Sequence, residues 1–237
     1  MNQIGYACIN MELSQQKPRI YTGRSMIKRT FQQRGIKYAS QLGLDNVKDL
    51  MKIIKWNNEH DFKFFRITSN LFPWCSEYQL QDMPDYQEIK STLRQIGDYV
   101  KANEMRITSH PGPFNVLTSP REHVVENCVK DLYHGVYKVI GIPIVFDYHH
   151  HKFCTGDLTE RQALEMACRT WGDIIPVVHY SESRSKEYDD VTIREQAHSD
   201  YVYNYIDTYG NKVDVMVEAK AKELAVLRYK ELNNKGD

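Results

Sequence analysis

The sequence of 237 residues has no long apolar run and no leader-like start. A membrane-spanning helix needs about 20 predominantly apolar residues, and no such stretch occurs. Residues 1–12 lack a basic segment followed by an apolar core, which is the pattern of a secretory signal. The glycosylation pattern N-x-S/T is also missing. We therefore expect no membrane partner and an intracellular location, either the cytoplasm or the host cell if the protein is viral.

Cysteine is scarce, and charge of neither sign predominates. The five cysteines are far apart, and no C-x-x-C pair occurs. This spacing excludes a disulfide framework and a zinc ribbon, and it favours a reducing compartment. The 31 basic residues balance 31 acidic ones, giving a net charge of +0. A strongly basic nucleic-acid coat protein is therefore excluded, and any DNA binding must come from a local groove.

Four widespread catalytic motifs are also missing from the sequence. They are G-x-S-x-G, H-E-x-x-H, G-x-x-x-x-G-K-[ST] and G-x-G-x-x-G. Their absence argues against a serine-hydrolase elbow, a zinc-protease helix, a P-loop and a dinucleotide-binding turn. Catalytic chemistry therefore has to come from another arrangement of side chains.

Six short apolar runs alternate with segments of helical periodicity. The runs cover residues 3–8, 62–67, 105–109, 142–146, 174–178 and 213–217. Apolar residues recur at helical spacing within 44–54, 89–100, 124–132 and 163–167, and we also predict helices over 26–34, 197–209 and 220–232. Thr159 is the expected N-cap of the helix that contains residues 163–167. The alternation predicts an α/β fold with a parallel sheet.

Ionisable side chains follow four of the six predicted strands. His110, Asp147, His179 and Glu218 each come just after an apolar run. The carboxyl ends of parallel strands carry the active sites of α/β barrels and open α/β sheets. Asp147 also begins the run Asp-Tyr-His-His-His, which ends at His151. Imidazole and carboxylate together suit zinc or manganese, so the pattern predicts a metal site.

At this point the sequence resembles the UV damage endonuclease family. The resemblance rests on short runs that occur in order and span nearly the whole chain. They are Gly5–Asn10, Phe65–Pro73, Ser109–Gly112, Val145–His151, Val178–Glu182, His198–Asp200 and Asp214–Lys220. Together the runs are specific for the family, although any one of them alone would not be.

The resemblance implies a TIM-type (β/α) barrel nuclease that nicks double-stranded DNA 5′ to UV photoproducts. It also implies a cluster of divalent metal ions, Mn²⁺ first, with Zn²⁺ or Mg²⁺ as other choices. The metal ligands that it implies are His110, Asp147, His150, His179, His198 and Glu218. The implied catalytic residues are Tyr6, Asp147, His179 and Glu218, and the implied DNA-binding residues are Asn10, Arg66, Asn70, Pro113 and Phe114.

The sequence departs from the family between His110 and Asp147. The family has two further strands in this interval, which end in a His-Gly-Gly and a Glu-Asn-Asp motif, and neither motif occurs here. We therefore expect a single domain over residues 1–237 that is an incomplete barrel with about six of eight strands, with the seam near 130–141. Loss of two strands and two ligands predicts impaired activity, since hard divalent ions need anionic oxygen ligands.

Two hypotheses from other classes stay open on the sequence. The first is a metal-dependent sugar isomerase-like enzyme on the same barrel, since a metal at strand ends serves both chemistries. The second is a non-catalytic DNA-binding remnant, which predicts salt-sensitive duplex binding without nicking. Phe114 and a basic loop favour DNA over a sugar, and the loop's basic residues are Lys17, Arg19, Arg24, Lys28, Arg29 and Arg34.

Overall fold

The computed structural model describes residues 2–68, 70–109, 143–153 and 155–233. The chain divides into two compact units, the first formed by residues 1–6 and 113–237 and the second by residues 7–112. No helix among the described residues is long and apolar enough to cross a membrane. Each unit is an α/β assembly, and every strand pair whose register is described is parallel.

The first unit contains a parallel sheet in the order β1-β6-β5-β4. Its strands are β1 (Ile4–Ala7, whose last residue belongs to the second unit), β4 (Phe146–Asp147), β5 (Val177–Tyr180) and β6 (Asp214–Val217). Its helices are α4 (Tyr148–His151), α5 (Glu160–Cys168), α6 (Arg184–Glu187) and α7 (Glu223–Asn233), with a 3₁₀ turn at Arg169–Trp171. All four residues of β6 are buried, as expected for a central strand of a parallel sheet.

The register of this sheet brings the ends of its strands level. Asp147 pairs with His179, and His179 pairs with Met216. Tyr6 pairs with Val217, the last residue of β6, and Glu218 follows directly after it. Helix α5 begins at a capping box. The Thr159 side chain accepts a hydrogen bond from the backbone N–H of Gln162, and the Gln162 side chain accepts one from the backbone N–H of Thr159.

The second unit pairs two parallel strands and packs long helices beside them. Its strands are β2 (Phe64–Ile67) and β3 (Arg106–Ser109). Its helices are α1 (Met11–Ser14), α2 (Lys28–Glu59) and α3 (Tyr86–Ala102), with 3₁₀ turns at Cys75–Glu77 and Leu80–Asp82. The backbone N–H of Cys8, just after β1, donates to the Arg66 carbonyl at 2.8 Å.

Helix α2 is broken at Gly35, which has φ 62° and ψ −162°. This conformation is essentially restricted to glycine, because a Cβ atom would clash with the neighbouring backbone. The short helix predicted over 26–34 therefore corresponds to the part of α2 before Gly35. The apolar residues predicted to be helical over 44–54 lie in the part of α2 after Gly35, where Leu50, Ile53 and Ile54 are fully buried.

All six predicted strands are present, although the fourth and fifth are displaced toward their carboxyl ends. Of the run predicted over 142–146, only Phe146 is in a strand, and β4 consists of Phe146 and the next residue, Asp147. His179 lies inside β5 rather than after it. Helices are also confirmed over 89–100, after Thr159 and within 220–232. The helix predicted over 124–132 and the seam near 130–141 lie outside the described residues.

The helix predicted over 197–209 is wrong, since this segment has no helix. Its backbone N–H groups are bound by two carboxylates instead of by helical carbonyls. Glu187 accepts from the N–H groups of Asp200 and Tyr201, and Glu182 accepts from those of Tyr203 and Asn204. Such side-chain acceptors satisfy the backbone outside a helix, so the periodic tyrosines do not decide the conformation.

Candidate metal centre

Asp147 ends β4 and caps the short helix α4. Its Oδ1 atom accepts hydrogen bonds from the backbone N–H groups of His149 and His150, both at 2.9 Å. Its Oδ2 atom lies 2.8 Å from Nδ1 of His150. The cap fixes the carboxylate at the carboxyl edge of the sheet, because N-cap geometry leaves little freedom to the Asp side chain.

Asp147, His179 and Glu218 converge from three adjacent strands. Each offers a ligand atom, and these atoms lie within 4.8 Å of one another. Nδ1 of His179 lies 3.3 Å from Oε1 of Glu218 and 3.9 Å from Oδ2 of Asp147. All three side chains are partly buried, with 16–21% of their surface exposed. Among the residues that the structure describes, they form the one group of this kind.

Two further histidines border the three converging side chains. His150 follows Asp147 within α4, and Nδ1 of His198 donates to the backbone carbonyl of Glu218 at 2.9 Å. In both histidines Nδ1 is therefore taken by an oxygen acceptor. Metal-binding histidines are commonly held in this way, with the other ring nitrogen facing the ion. The His150 and His198 ring centroids lie 5.7 Å apart.

The protonation equilibria of Asp147 and His150 are coupled. Burial is the largest influence on Asp147 and acts to raise its pKa, but the hydrogen bond and charge of His150 outweigh it, so the pKa lies below its usual value. The hydrogen bond to Asp147 raises the pKa of His150 against the opposing effect of burial. Asp147 is therefore an anion at neutral pH, which suits it to hold a cation.

The other predicted site residues are distributed between the units. Tyr6 is fully buried in the first unit, on the strand that neighbours β6. Asn10, Arg66 and Asn70 belong to the second unit. Asn10 is buried there and caps α1, with its Oδ1 atom accepting from the N–H of Leu13 at 2.8 Å. His110, Pro113 and Phe114 lie outside the described residues.

Sequence reasoning missed the side chains that support the site. His149, which is not among the ligands that the resemblance implies, is buried beside His150 and His198. Glu182 and Glu187 hold the segment that follows His198. Nothing in the sequence marks these three residues, because a histidine run does not reveal which ring points inward and isolated glutamates are common on surfaces. The only available signal was their closeness along the chain to predicted ligands.

Parallel strands, intervening helices and a polar cluster at the carboxyl edge of the sheet define an α/β fold of TIM-barrel type, with its candidate site where such folds carry their active sites. Family comparison makes the assignment specific. The model of the UV-endonuclease UvdE family matches residues 2–140 and 135–235. The chain therefore belongs to the UvdE family, and the predicted resemblance is confirmed.

Individual relatives agree with this assignment. The chain is 28% identical to the UV-damage endonuclease of Schizosaccharomyces pombe over 302 residues, covering 94% of this chain and 49% of that protein. It is 37% identical to a putative UV-damage endonuclease of Acanthamoeba polyphaga mimivirus over 137 residues, covering 56% and 41%. It is 25% identical to the UV DNA damage endonuclease of Bacillus mycoides over 263 residues, covering 78% and 80%. The chain spans about half the length of the first of these relatives.

A solved structure shows the same fold. The crystal structure of SacUVDE superposes with a TM-score of 0.71, covering 98% of this chain and 99% of that chain at 23% identity. The α/β, TIM-barrel-type fold predicted from the sequence is thereby confirmed. The described part of the chain supplies six strands, against eight in a closed barrel.

Proposed function

We propose that this chain is a metal-dependent DNA repair endonuclease that nicks double-stranded DNA 5′ to UV photoproducts. One observation carries the proposal: a chain of the UvdE family brings Asp147, His179 and Glu218 to within ligand distance at the carboxyl edge of its sheet. The family assignment also argues against the sugar isomerase hypothesis. Within the described residues, Cys8, Cys75 and Cys168 are free thiols, and we propose a reducing, intracellular location.

The residues present fit a divalent cation. Two carboxylates and one imidazole form a mixed oxygen and nitrogen donor set, which suits Mn²⁺ or Zn²⁺. The two acids face each other across His179, and a cation between them would offset their repulsion. Asp147, His179 and Glu218 would hold this ion, with His150, His198 and His110 as further ligands. We favour Mn²⁺, and Zn²⁺ and Mg²⁺ are the alternatives.

A divalent ion bound here would activate a water molecule and polarise the scissile phosphodiester. The protein's own contribution is to hold charge and geometry in place. Asp147 stays ionised because His150 holds its pKa low, and its N-cap bonds prevent it from rotating away. Glu218 is fixed at its backbone, since its N–H donates to the Tyr180 carbonyl at 2.9 Å. Tyr6 lies on the strand next to this carboxylate.

DNA contacts are proposed for Asn10, Arg66, Asn70, Pro113 and Phe114. Phe114 provides an aromatic surface that can stack at an unstacked lesion, while Pro113 offers no side-chain hydrogen bond. The basic loop contributes less than its charge count indicates. Arg24 pairs with Asp49 and also donates to backbone carbonyls, so its charge is neutralised within the protein. Arg19 is exposed and lies over the Tyr21 ring at 4.2 Å, so we propose it as the phosphate contact of this loop.

The proposed activity is weaker than that of longer relatives. The alignment with the Schizosaccharomyces pombe enzyme runs over 302 positions but contains 94% of a 237-residue chain. That relative therefore carries residues, within the aligned span, that have no counterpart here. We expect the ligands of the His-Gly-Gly and Glu-Asn-Asp motifs to be lost, since neither motif occurs here. A site with fewer anionic ligands holds a divalent ion less tightly.

The direct test uses a labelled duplex that contains one cyclobutane pyrimidine dimer. We expect the wild-type chain with Mn²⁺ to cut the damaged strand at the phosphodiester immediately 5′ to the dimer, and to leave an undamaged duplex intact. Asp147→Asn keeps the shape of the side chain but removes its charge, so we expect no product. Asp173→Asn makes the same change at an exposed position and should cut like the wild type.

Two outcomes would contradict the proposal. Undiminished cutting by Asp147→Asn would show that the activity does not depend on this carboxylate. Duplex binding by a folded wild-type chain with no product at any Mn²⁺ concentration would instead support the non-catalytic DNA-binding remnant. Binding by such a remnant should weaken steeply as salt concentration rises.

A further inference from the structure

Positive charge is concentrated in one segment of the second unit. Residues 13–44 contain seven basic residues and no acidic one, although the whole chain has equal numbers of both. The imbalance extends over the unit, since residues 7–112 contain 16 basic and 11 acidic residues, whereas residues 113–237 contain 15 and 20. A negatively charged duplex is therefore attracted more strongly to the second unit than to the unit that holds the candidate metal centre.

The first turns of α2 carry part of this charge on a helix. We call residues 28–34, which precede the break at Gly35, the α2 arm. Phe31 attaches the arm to the rest of the unit, because its ring stacks on Trp74 with centroids 5.7 Å apart and an angle of 13° between the ring planes. The Trp74 indole N–H also donates to the Met26 carbonyl, two residues before the arm, at 2.9 Å. One face of the α2 arm is thus packed, and its orientation is fixed.

The opposite face of the α2 arm is polar. Arg29 and Gln33 are one turn apart, and each lies about 160° around the helix from Phe31. The exposed side chains of the arm are all basic or amide groups, namely Lys28, Arg29, Gln32, Gln33 and Arg34. Each of them can donate hydrogen bonds to an anionic oxygen. The exposed face is therefore a continuous surface of donors.

The charges of the α2 arm are not neutralised by neighbouring acids. Lys48 and Lys52, which lie farther along α2, each pair with a carboxylate. Within the described part of the chain, Lys28, Arg29 and Arg34 form no such pair. A basic side chain without a carboxylate partner can neutralise a phosphate, and the release of counterions that follows supplies most of the sequence-independent affinity for DNA.

The length of the α2 arm suits the backbone of a duplex. Six steps of helical rise separate Lys28 from Arg34, which is about 9 Å. One DNA strand advances by about 3.4 Å per nucleotide along the duplex axis, so this length spans about three successive phosphates. Lysine, arginine and glutamine donors to phosphate oxygens fix a protein on a duplex without reading its sequence.

We propose that the exposed face of the α2 arm is a contact surface for the sugar-phosphate backbone of duplex DNA, with Lys28, Arg29 and Arg34 binding phosphates. The surface belongs to the second unit, whereas the candidate metal centre belongs to the first. It supplies affinity that depends on salt concentration and not on base sequence or on the UV lesion. The inference rests on the proposed function, since DNA is the substrate of that function.

The test measures binding of the full chain, in Mn²⁺, to a short fluorescent duplex without damage, which the proposed activity leaves intact. Lys28→Gln together with Arg29→Gln removes two charges from the α2 arm. Lys28→Arg together with Arg29→Lys exchanges the two side chains and keeps both charges. Fluorescence anisotropy gives the dissociation constant of each protein over a series of salt concentrations, and circular dichroism confirms that each variant is folded.

A matched control removes the same charge elsewhere in the second unit. Lys55→Gln together with Lys101→Gln changes two exposed positions near the carboxyl ends of α2 and α3. These helix ends lie side by side, because the Asn58 side chain donates to the Tyr99 hydroxyl at 3.1 Å. Lys55 lies about 30 Å beyond Gly35 along α2. The control therefore separates a local contact with the α2 arm from an effect of net charge.

We expect the charge-removing arm variant to weaken duplex binding by about tenfold or more at about 0.1 M salt. The slope of log affinity against log salt concentration should become less steep by about 1.8, since each lost phosphate contact removes about 0.9. The charge-keeping variant and the control should bind the duplex like the wild type. The Mn²⁺ affinity of every variant should equal that of the wild type, because the ion is held by the other unit.

Three results would overturn the inference. The first is an arm variant without Lys28 and Arg29 that binds the duplex with wild-type affinity and slope. The second is a control variant that loses as much affinity as the arm variant, and the third is a folded wild-type chain that does not bind the duplex even at low salt. Failure of the proposed function looks different, because then the wild-type chain binds duplex through the α2 arm but cuts no UV-damaged DNA in Mn²⁺.

Discussion

The Asp147 carboxylate serves the fold and the candidate site at the same time. One oxygen caps α4 through two backbone N–H groups, while the other faces His150 and His179. The Glu218 carboxylate, the second acid of the group, faces the imidazoles of His179 and His198. Substituting Glu218 therefore tests metal binding at the second carboxylate of the candidate site.

We predict that Glu218→Gln weakens Mn²⁺ binding by at least about 100-fold, since even residues behind the ligands cost 10- to 100-fold. The amide is similar in size to the carboxylate but carries no charge. Isothermal titration with Mn²⁺ measures the change. Glu165→Gln is the matched control, because Glu165 pairs with Arg161 on α5 and lies outside the group formed by Asp147, His179 and Glu218; its Mn²⁺ affinity should equal that of the wild type. Equal Mn²⁺ affinity of the two variants would show that Glu218 is not a metal ligand.

At the residue scale, the sequence predicted that three ionisable side chains near the ends of apolar runs would lie close together, and the structure brings them together. Asp147, His179 and Glu218 could be predicted because parallel strands end at one edge, and an apolar run marks each strand. The choice of His150 over its neighbours came from the family resemblance and not from the run of histidines. The burial of His149 depends on how α4 leaves β4, and that direction has no signature in the sequence.

Among the elements, α2 shows how one glycine directs a long helix. Residues 28–59 are helical apart from Gly35, whose positive φ changes the direction of the chain. A Cβ atom added at Gly35 would meet nothing within 4 Å, so crowding by other elements plays no part. The cost of any other residue there comes from the backbone conformation alone.

Two glycine substitutions should therefore have opposite effects. Gly35→Ala should lower the free energy of unfolding by about 1–3 kcal/mol, because alanine is strained at this φ and ψ. Gly97→Ala lies inside α3, also with nothing within 4 Å of the added Cβ, and should raise it by about 0.5–1 kcal/mol through helix propensity. Urea unfolding measures both. Stabilisation by Gly35→Ala would contradict the break in α2.

The segment over 197–209 shows where periodicity fails. Its apolar and aromatic residues recur as in a helix, and Val202 and Ile206 are indeed buried. The segment stays irregular because Glu182 and Glu187, which lie more than ten positions away in sequence, bind its N–H groups. Periodicity indicates which side chains are buried, but residues that are distant in sequence determine which acceptors bind the backbone N–H groups.

At the scale of the whole molecule, a bound ion should contribute to stability. A ligand that binds only the folded chain stabilises it according to its concentration relative to its dissociation constant, by about 2.7 kcal/mol at a hundredfold excess over that constant. We predict that Mn²⁺ at this excess raises the unfolding temperature by about 5–11 °C, and that EDTA reverses the shift. Differential scanning fluorimetry measures it. Asp147→Asn should show no shift, and an equal shift in this variant would mean that Mn²⁺ binds elsewhere.

We expect the length of the chain to affect its activity more than its fold. The fold matches SacUVDE over 98% of this chain, while the alignment with the Schizosaccharomyces pombe enzyme leaves residues of that enzyme without counterparts. The α/β class and the six strands of the described residues could be predicted from six apolar runs. The sequence does not predict whether the remaining ligands suffice for catalysis, because that depends on how tightly a smaller set of donor atoms holds its ion.

Nicking of supercoiled plasmid tests the central claim most directly. UV-irradiated and undamaged plasmids are incubated with the wild-type chain and Mn²⁺, and then with excess chelator. We predict relaxed circles from the irradiated plasmid only, and none once the chelator is added. Equal nicking of both plasmids, or nicking that survives the chelator, would contradict the proposal that this chain is a metal-dependent endonuclease for UV-damaged DNA.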